Sequence, residues 1–311
     1  MNPFVLLFVW AILMASSFVV SGNMAVYASP IATSFLRFIV ALGLMTAVIF
    51  LNNYRTRGSQ CDASTWTLKG LFSSPQRLLH YFLISGALVG FFIGMFVALE
   101  STTPLHTSVL YTLVPLMGVA VARVWLKEST SWGKVLGFLL GSIGAMMVLF
   151  STQDTGMLVW NKGDYVFLAS CVLLALHVVL VQKWGRSIGA LQGAFMIMLF
   201  GSLWLLPITL LWGHLEQVEW LELGFWSNTL YLTIFTTLFT FMLQQKLVIR
   251  LGANRLLAAT YTIPVWVACY VALTTLNWSL LLNVGFAAGV GILLIALYMI
   301  DYQNKMAKLV T

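Results

Sequence analysis

Ten apolar runs, each about 20 residues long, fill most of this 311-residue chain, and about 20 apolar residues is the length of helix that crosses a bilayer. Their approximate limits are 4–22, 31–51, 79–99, 103–122, 132–150, 164–182, 190–212, 227–248, 254–273 and 280–300. In hydrocarbon every backbone N–H and C=O must be satisfied inside the protein, which a helix does within its own segment. The expected fold is an all-α membrane protein of ten transmembrane helices. Composition agrees: 8% of residues are charged, against about 25% in a soluble domain, so lipid has to be the solvent.

The basic residues set the orientation. With the N-terminus in the cytoplasm, the inward side receives Arg55, Arg57, Lys69, Arg77, Arg123, Lys127, Lys134, Lys183, Arg186, Lys246, Arg250, Arg255, Lys305 and Lys308, and the outward side only Lys162. Fourteen against one is a strong positive-inside bias. Both termini are expected in the cytoplasm, in the cell inner membrane. The formal net charge of +7 reflects these turns and does not suggest nucleic acid. Residues 1–22 carry no Lys or Arg, so a retained first helix is expected and not a signal peptide.

The stretch 103–150 is the organising unit: a helix containing Pro115, a charged turn with Glu128, and a helix with Gly137, Gly141 and Gly144. An offset of 149 places Pro264 on Pro115 and Asn277 on Glu128, with Gly289 and Gly291 near the positions of the earlier glycines. Two halves follow, 1–152 and 153–311, each with five runs. An odd number per half inserts the second half upside down, giving two inverted five-helix repeats. Pro115 and Pro264 are expected as hinges, and Glu128 and Asn277 as turn residues, Glu128 favouring the N-terminal end of the next helix.

Candidate site residues are polar groups inside the apolar runs. Arg37 lies seven residues past Pro30, about 10 Å from the end of its helix. It is either a fixed charge facing a wet cavity, pairing with Glu100 as a gate, or a snorkelling structural residue. Ser16, Ser17, Ser85, Tyr111, Thr112, Thr260 and Tyr261 lie at similar depth and suit a cavity for a mixed-polarity substrate, or ordinary interhelical bonding. His177 could carry a coupling proton, and Gln244 with Gln245 could form an inner gate. Gly86, Gly90 and Gly94 mark close packing. The loop 52–78 has no assigned role beyond a short interfacial helix near Trp66–Phe72, and 213–226 reads as an amphipathic segment on the outer face.

No enzyme is expected. The chain has no GxxxxGK[ST], HExxH or GxSxG, and no His/Cys cluster with ligand spacing, so no cofactor or metal is implied. Cys61, Cys171 and Cys269 form no disulfide or ligand pattern.

These residues resemble the EamA-type permeases of the drug/metabolite transporter superfamily over about 4–300. SPIATSFLRF resembles the family's proline-then-arginine segment, with the arginine at Arg37. PLHTSVLYTLVPLMGVAVARVWLKES resembles its helix 4–5 signature, with Pro115 and Glu128. MASSF resembles its helix 1 segment, with Ala15 at the glycine and Phe18 at the aromatic. Asn277 replaces the second copy's glutamate, and Gly22 stands where a lysine is usual. The resemblance implies a permease with a cavity between its halves, bending at Gly and Pro, that exports an amino-acid-like or other small metabolite by alternating access. The implied partners are a small-molecule substrate and the lipid bilayer, with proton coupling open and the oligomeric state unassigned. A channel-like facilitator and a non-transporting scaffold or biosynthetic subunit are the rival readings. Accessibility labelling of single-cysteine variants is expected to find Lys162 outside and Arg186 inside; both on one side would remove the inversion.

Overall fold

The computed structural model describes residues 3–56, 72, 74–125, 127, 131–151, 160–185, 190–251, 256 and 258–310. Among these residues the chain is helical and contains no strand. In order the helices are α1 (Pro3–Asn23), α2 (Pro30–Thr56), α3 (Pro75–Leu99), α4 (Pro104–Tyr111), α5 (Val114–Trp125), α6 (Trp132–Ser151), α7 (Lys162–Trp184), α8 (Ala190–Trp212), α9 (Leu223–Thr233), α10 (Thr240–Leu251), α11 (Ile263–Thr275) and α12 (Val284–Val310). A π-helical segment, Ile234–Phe239, joins α9 to α10, and a 3-10 turn, Thr260–Thr262, leads into α11.

Seven helices among the described residues are long and apolar enough to cross a bilayer. The run at 132–150 forms α6, Trp132–Ser151, an apolar helix of 20 residues. The runs at 227–248 and 254–273 are divided by the π segment and the 3-10 turn. Glu128 and the middle of the 52–78 loop lie outside the described residues.

Helix starts follow from local chemistry. Proline opens α2, α3 and α4, where its missing N–H is one the helix would not have used. The hydroxyls of Ser74 and Thr103 accept from the N–H of Arg77 and His106 at the starts of α3 and α4. At α7, Asn161 and Asp164 form a reciprocal capping box.

The expected continuous helix at 103–122 is broken at Thr112–Leu113, and Pro115 becomes the second residue of α5. Pro264 is likewise second in α11. A proline in mid-helix cannot donate to the carbonyl four residues back and clashes with it. In both places the helix stops and restarts, so the proline falls in a first turn that tolerates it. The restarts, Val114 and Ile263, are separated by the same offset as the prolines.

The 213–226 stretch, read as an amphipathic segment, is built of turns. It folds as a 3-10 turn, Leu215–Gln217, then a tight turn into α9. Trp220 Nε1 donates to the Leu215 carbonyl at 3.2 Å, and the Glu219 N–H donates to Tyr27 at 2.9 Å, tying the stretch to the α1–α2 connection.

Small residues set the helix contacts. α6 packs along α12, α3 along α7, and α2 along α8. A Cβ on Gly144 would lie 3.0 Å from the Gly289 carbonyl and from Leu293 of α12. Gly137 faces Ile300 of α12 and Gly141 faces the Tyr261 ring. On α3, Gly86 meets Trp204, Gly90 meets Leu173 and Gly94 meets Ser170. Without a hydrophobic effect between helices in lipid, such close approach is what van der Waals packing requires. Gly144→Val should cost about 1–3 kcal/mol by overpacking. In detergent its unfolding midpoint is expected several degrees below that of the wild type; an unchanged midpoint would mean that α6 and α12 do not meet there.

Candidate functional site

A cavity of about 140 Å³ lies inside the bundle. Its walls come from α1 (Trp10, Met14, Ser17, Phe18), α2 (Arg37), α3 (Leu88, Phe91, Phe92, Met95), the α4–α5 break (Tyr111, Val114), α7 (Leu174, His177, Val178), the π segment with α10 (Thr236, Thr240, Phe241, Gln244), and the stretch before α11 (Leu256, Thr260). Among the described residues, none of α6, α8 or α12 reaches it. Those helices form the outer supports.

Both proline breaks open onto this space. Pro115 removes the N–H that would have bonded to the Tyr111 carbonyl, and Pro264 removes the one that would have bonded to the Thr260 carbonyl. Tyr111 and Thr260, each four residues before its proline, line the cavity. Irregular backbone at membrane depth is tolerated where it is buried in protein or lines a cavity. The Thr260 carbonyl is taken by the Ile263 N–H in the tighter 3-10 geometry.

Among the described residues Arg37 is the one guanidinium in the wall, and it is 3% exposed. Its Nε donates to Thr237 Oγ1 at 2.6 Å, and its Nη2 donates to Thr236 Oγ1 at 3.0 Å and to the Thr236 carbonyl at 3.4 Å. Its Cζ sits 4.4 Å from the centre of the Phe92 ring. Nη1 is buried and has no partner. Among the described residues no carboxylate pairs with Arg37, and Glu100, the acid considered as its gate partner, is exposed at the end of α3.

The partners of Arg37 come from the π segment. There Thr236 and Thr237 both donate their hydroxyls to the Leu232 carbonyl, at 2.8 and 2.9 Å. Two hydroxyls on one carbonyl become reachable because the wider turn brings i+4 and i+5 together. Each threonine thereby leaves its oxygen lone pairs facing α2. A charge buried among neutral groups costs several kcal/mol. A carboxylate about 4 Å away would recover on the order of 4 kcal/mol at an effective dielectric constant of about 20.

Six of the ten cavity candidates named from the sequence line this space: Ser17, Arg37, Tyr111, His177, Gln244 and Thr260. His177 holds its Nδ1 proton on the Ile84 carbonyl at 2.9 Å. The other four turn elsewhere. The Ser16 and Tyr231 hydroxyls share a bond of 2.7 Å, and Ser85 donates to the Tyr81 carbonyl at 2.6 Å. Thr112 donates to the Val109 carbonyl at 2.6 Å and caps the end of α4. Tyr261 donates to the Phe138 carbonyl at 2.9 Å and packs against Gly141. The offset therefore places two cavity residues opposite each other at Tyr111 and Thr260, not at Thr112 and Tyr261. Asn277 is exposed and accepts from Ser279 at 2.6 Å in the turn after α11.

The residues that sequence reasoning missed are Thr236 and Thr237. Their signal was the row Thr233, Thr236, Thr237, Thr240, a polar stripe at helical spacing inside an apolar run. Also missed was the buried cluster at the other end of α4. Asp164 accepts from Thr102 at 2.5 Å and from His106 Nδ1 at 3.3 Å, and completes the cap of α7 through the Asn161 N–H.

An interior cavity with irregular backbone at two proline breaks, inside an apolar helical bundle, is an arrangement that suits a multi-pass membrane transporter. Residues 2–150 match the EamA-like transporter family. The chain is 21% identical over 258 residues to "Uncharacterized transporter YyaM" of Bacillus subtilis (strain 168), covering 82% of this chain and 80% of that one. Over its first half the chain is similar to the EamA-type transporters, and these likenesses point to a transporter rather than an enzyme. A solved crystal structure of a chain 16% identical shares the fold, with a TM-score of 0.72 and 98% of each chain covered.

Tyr261→Phe should remove one hydrogen bond, for which about 0.5–1.5 kcal/mol is typical. The low end is expected, because the Phe138 carbonyl also accepts from Ser142 at 3.1 Å. The measurement is the unfolding midpoint together with ligand affinity. A weakened affinity at unchanged stability would move the hydroxyl into the site.

Proposed function

We propose that this chain is a secondary transporter that exports a small metabolite of mixed polarity, amino-acid-like or otherwise, across the cytoplasmic membrane by alternating access. The observation that carries the reading is the cavity onto which both proline breaks open. At about 140 Å³ it is smaller than the roughly 300 Å³ at which drug-sized sites begin, so the substrate is small.

Ten spans in two inverted repeats, 1–152 and 153–311, are part of the proposal. On this reading α1, α2, α3, α4–α5 and α6 are the first five spans, and α7, α8, α9–α10, α11 and α12 the second five. The helix pairing supports a two-fold relation between them. α3 packs on α7 as α1 packs on α10, α5 packs on α7 as α11 packs on α1, and α3 packs on α8 as α9 packs on α2. The pairs α2–α8 and α6–α12 map onto themselves. Such a relation lets one half rock against the other around a fixed site. Pro115 and Pro264 act as the hinges, and α6 with α12 braces the two halves. Both termini lie in the cytoplasm.

Proton coupling is the further element of the proposal. His177 stands in the cavity wall on α7, and its side chain can bind a proton that the substrate's passage moves. Glu128, in the charged turn, and Gln244, in the wall toward the inner end, are assigned to turn and inner gate.

Purified protein reconstituted into sealed vesicles, offered a panel of labelled amino acids and other metabolites, tests the reading. Saturable flux is expected, accelerated by unlabelled substrate on the opposite side and by an imposed pH gradient. Flux that never saturates would make the chain a channel, and no flux across the panel would leave a scaffold. Equal initial rates with and without the gradient would sink the coupling alone.

A further inference from the structure

Taking the cavity to be the transport site, as proposed above, we infer that its substrate is an organic monocarboxylate with an apolar or aromatic tail, and that the corresponding zwitterionic amino acid is discriminated against. The inference starts from the charges in the wall. Arg37 supplies one positive charge, and among the described residues no Asp or Glu lines the cavity. The other described acids are engaged or remote: Asp164 is bound to Thr102 and His106, Glu100, Glu216, Glu219 and Glu222 are exposed, and Asp301 on α12 is not among the cavity-lining residues. A carboxylate entering the cavity meets a fixed cation. An ammonium group meets none of the anions that would replace its lost hydration.

The donors are unequally used. Nε and Nη2 of Arg37 are held by Thr237 and Thr236, which fixes the guanidinium plane over Phe92. Nη1 is left without a partner although it is buried. Buried donors of a charged group are almost always satisfied, so an orphan in a cavity wall marks where a ligand atom belongs. A carboxylate oxygen suits it best, since a charge-assisted bond is shorter and stronger than one to a neutral acceptor.

The tail follows from the wall beside it. Phe92 under Arg37 contacts Phe91 with ring centres 5.4 Å apart, Phe91 lies 6.4 Å from Tyr111, and Tyr111 lies 5.3 Å from Phe18. This aromatic path leads from the guanidinium across the cavity and offers ring faces to an apolar or planar group. Those faces attract an ammonium more weakly than a carboxylate partner would, and Arg37 in the same space repels it.

The test uses the full-length purified protein and three probes with one ring and different charges: 3-phenylpropionate, phenylalanine and phenethylamine. Hexanoate is added as an aliphatic monocarboxylate. Binding is read by calorimetry and by tryptophan fluorescence. 3-Phenylpropionate is expected to bind about tenfold more tightly than phenylalanine, whose ammonium would lose its hydration beside Arg37 without an anion to replace it, and phenethylamine, which also lacks the charge-assisted bond to Arg37, is expected to bind more weakly still. Arg37→Gln should abolish carboxylate binding, and Arg37→Lys, which keeps the charge, should retain part of it. Equal affinity for phenylalanine, or no binding of either carboxylate, would overturn the inference in the wild-type protein alone, whatever the variants' folding. Carboxylate binding without flux in vesicles would sink the transport reading and leave the inference standing. Flux of phenylalanine indifferent to Arg37→Gln would do the reverse.

Discussion

In hydrocarbon an unmet backbone N–H or C=O has no water to turn to. That constraint makes the described chain helical and decides where the helices are allowed to fail. They fail at Thr112–Leu113, at Ile234–Phe239 and at Thr260–Thr262, and all three places border the same interior space. Each failure comes with its own remedy: a first-turn position for Pro115 and Pro264, threonine hydroxyls on the Leu232 carbonyl, and a 3-10 bond to Thr260. The cavity is where irregular backbone can be afforded, so the interior space and the weak points of the helices coincide.

The buried guanidinium belongs to the same logic. Arg37 cannot snorkel out of the bundle, because at 3% exposure it is walled in by α3 and the π segment. Neutral threonines hold two of its nitrogens and an aromatic ring supports its face. That arrangement steadies the charge without cancelling it. Had a carboxylate of the protein paired with it, the field in the cavity would be close to neutral and an anion would gain little by entering. The π segment also joins the binding group to a span whose geometry is already irregular. Movement there would be felt at Arg37 through Thr236 and Thr237.

Much of the helical layout was legible from hydropathy alone, since an apolar run of fixed length has one satisfied conformation in lipid. The glycines of α3 and α6 were legible as contact points, though not their partners: Gly144 meets Gly289 across the molecule while Gly141 meets a tyrosine. The cavity residues were legible in part. Depth along a helix can be counted, but rotation about its axis cannot when both faces are apolar. That is why Tyr111 and Thr112, neighbours at one depth, part company, one lining the cavity and the other capping α4. Ser16 and Ser17 separate in the same way.

The chain's composition and period were sufficient to require lipid and helices, and to mark Arg37 and the two prolines as positions where ordinary rules are broken. These are local matters, fixed by one segment and its solvent. What Arg37 touches was decided elsewhere. Its partners are 199 and 200 residues away, in a stripe of threonines that only a π turn brings onto one carbonyl. Long-range pairing of this kind depends on how helices rotate and approach, which is set by the packing of glycines and rings between segments. No single run carries that information, so the charge was visible in the sequence and its unfilled nitrogen was not.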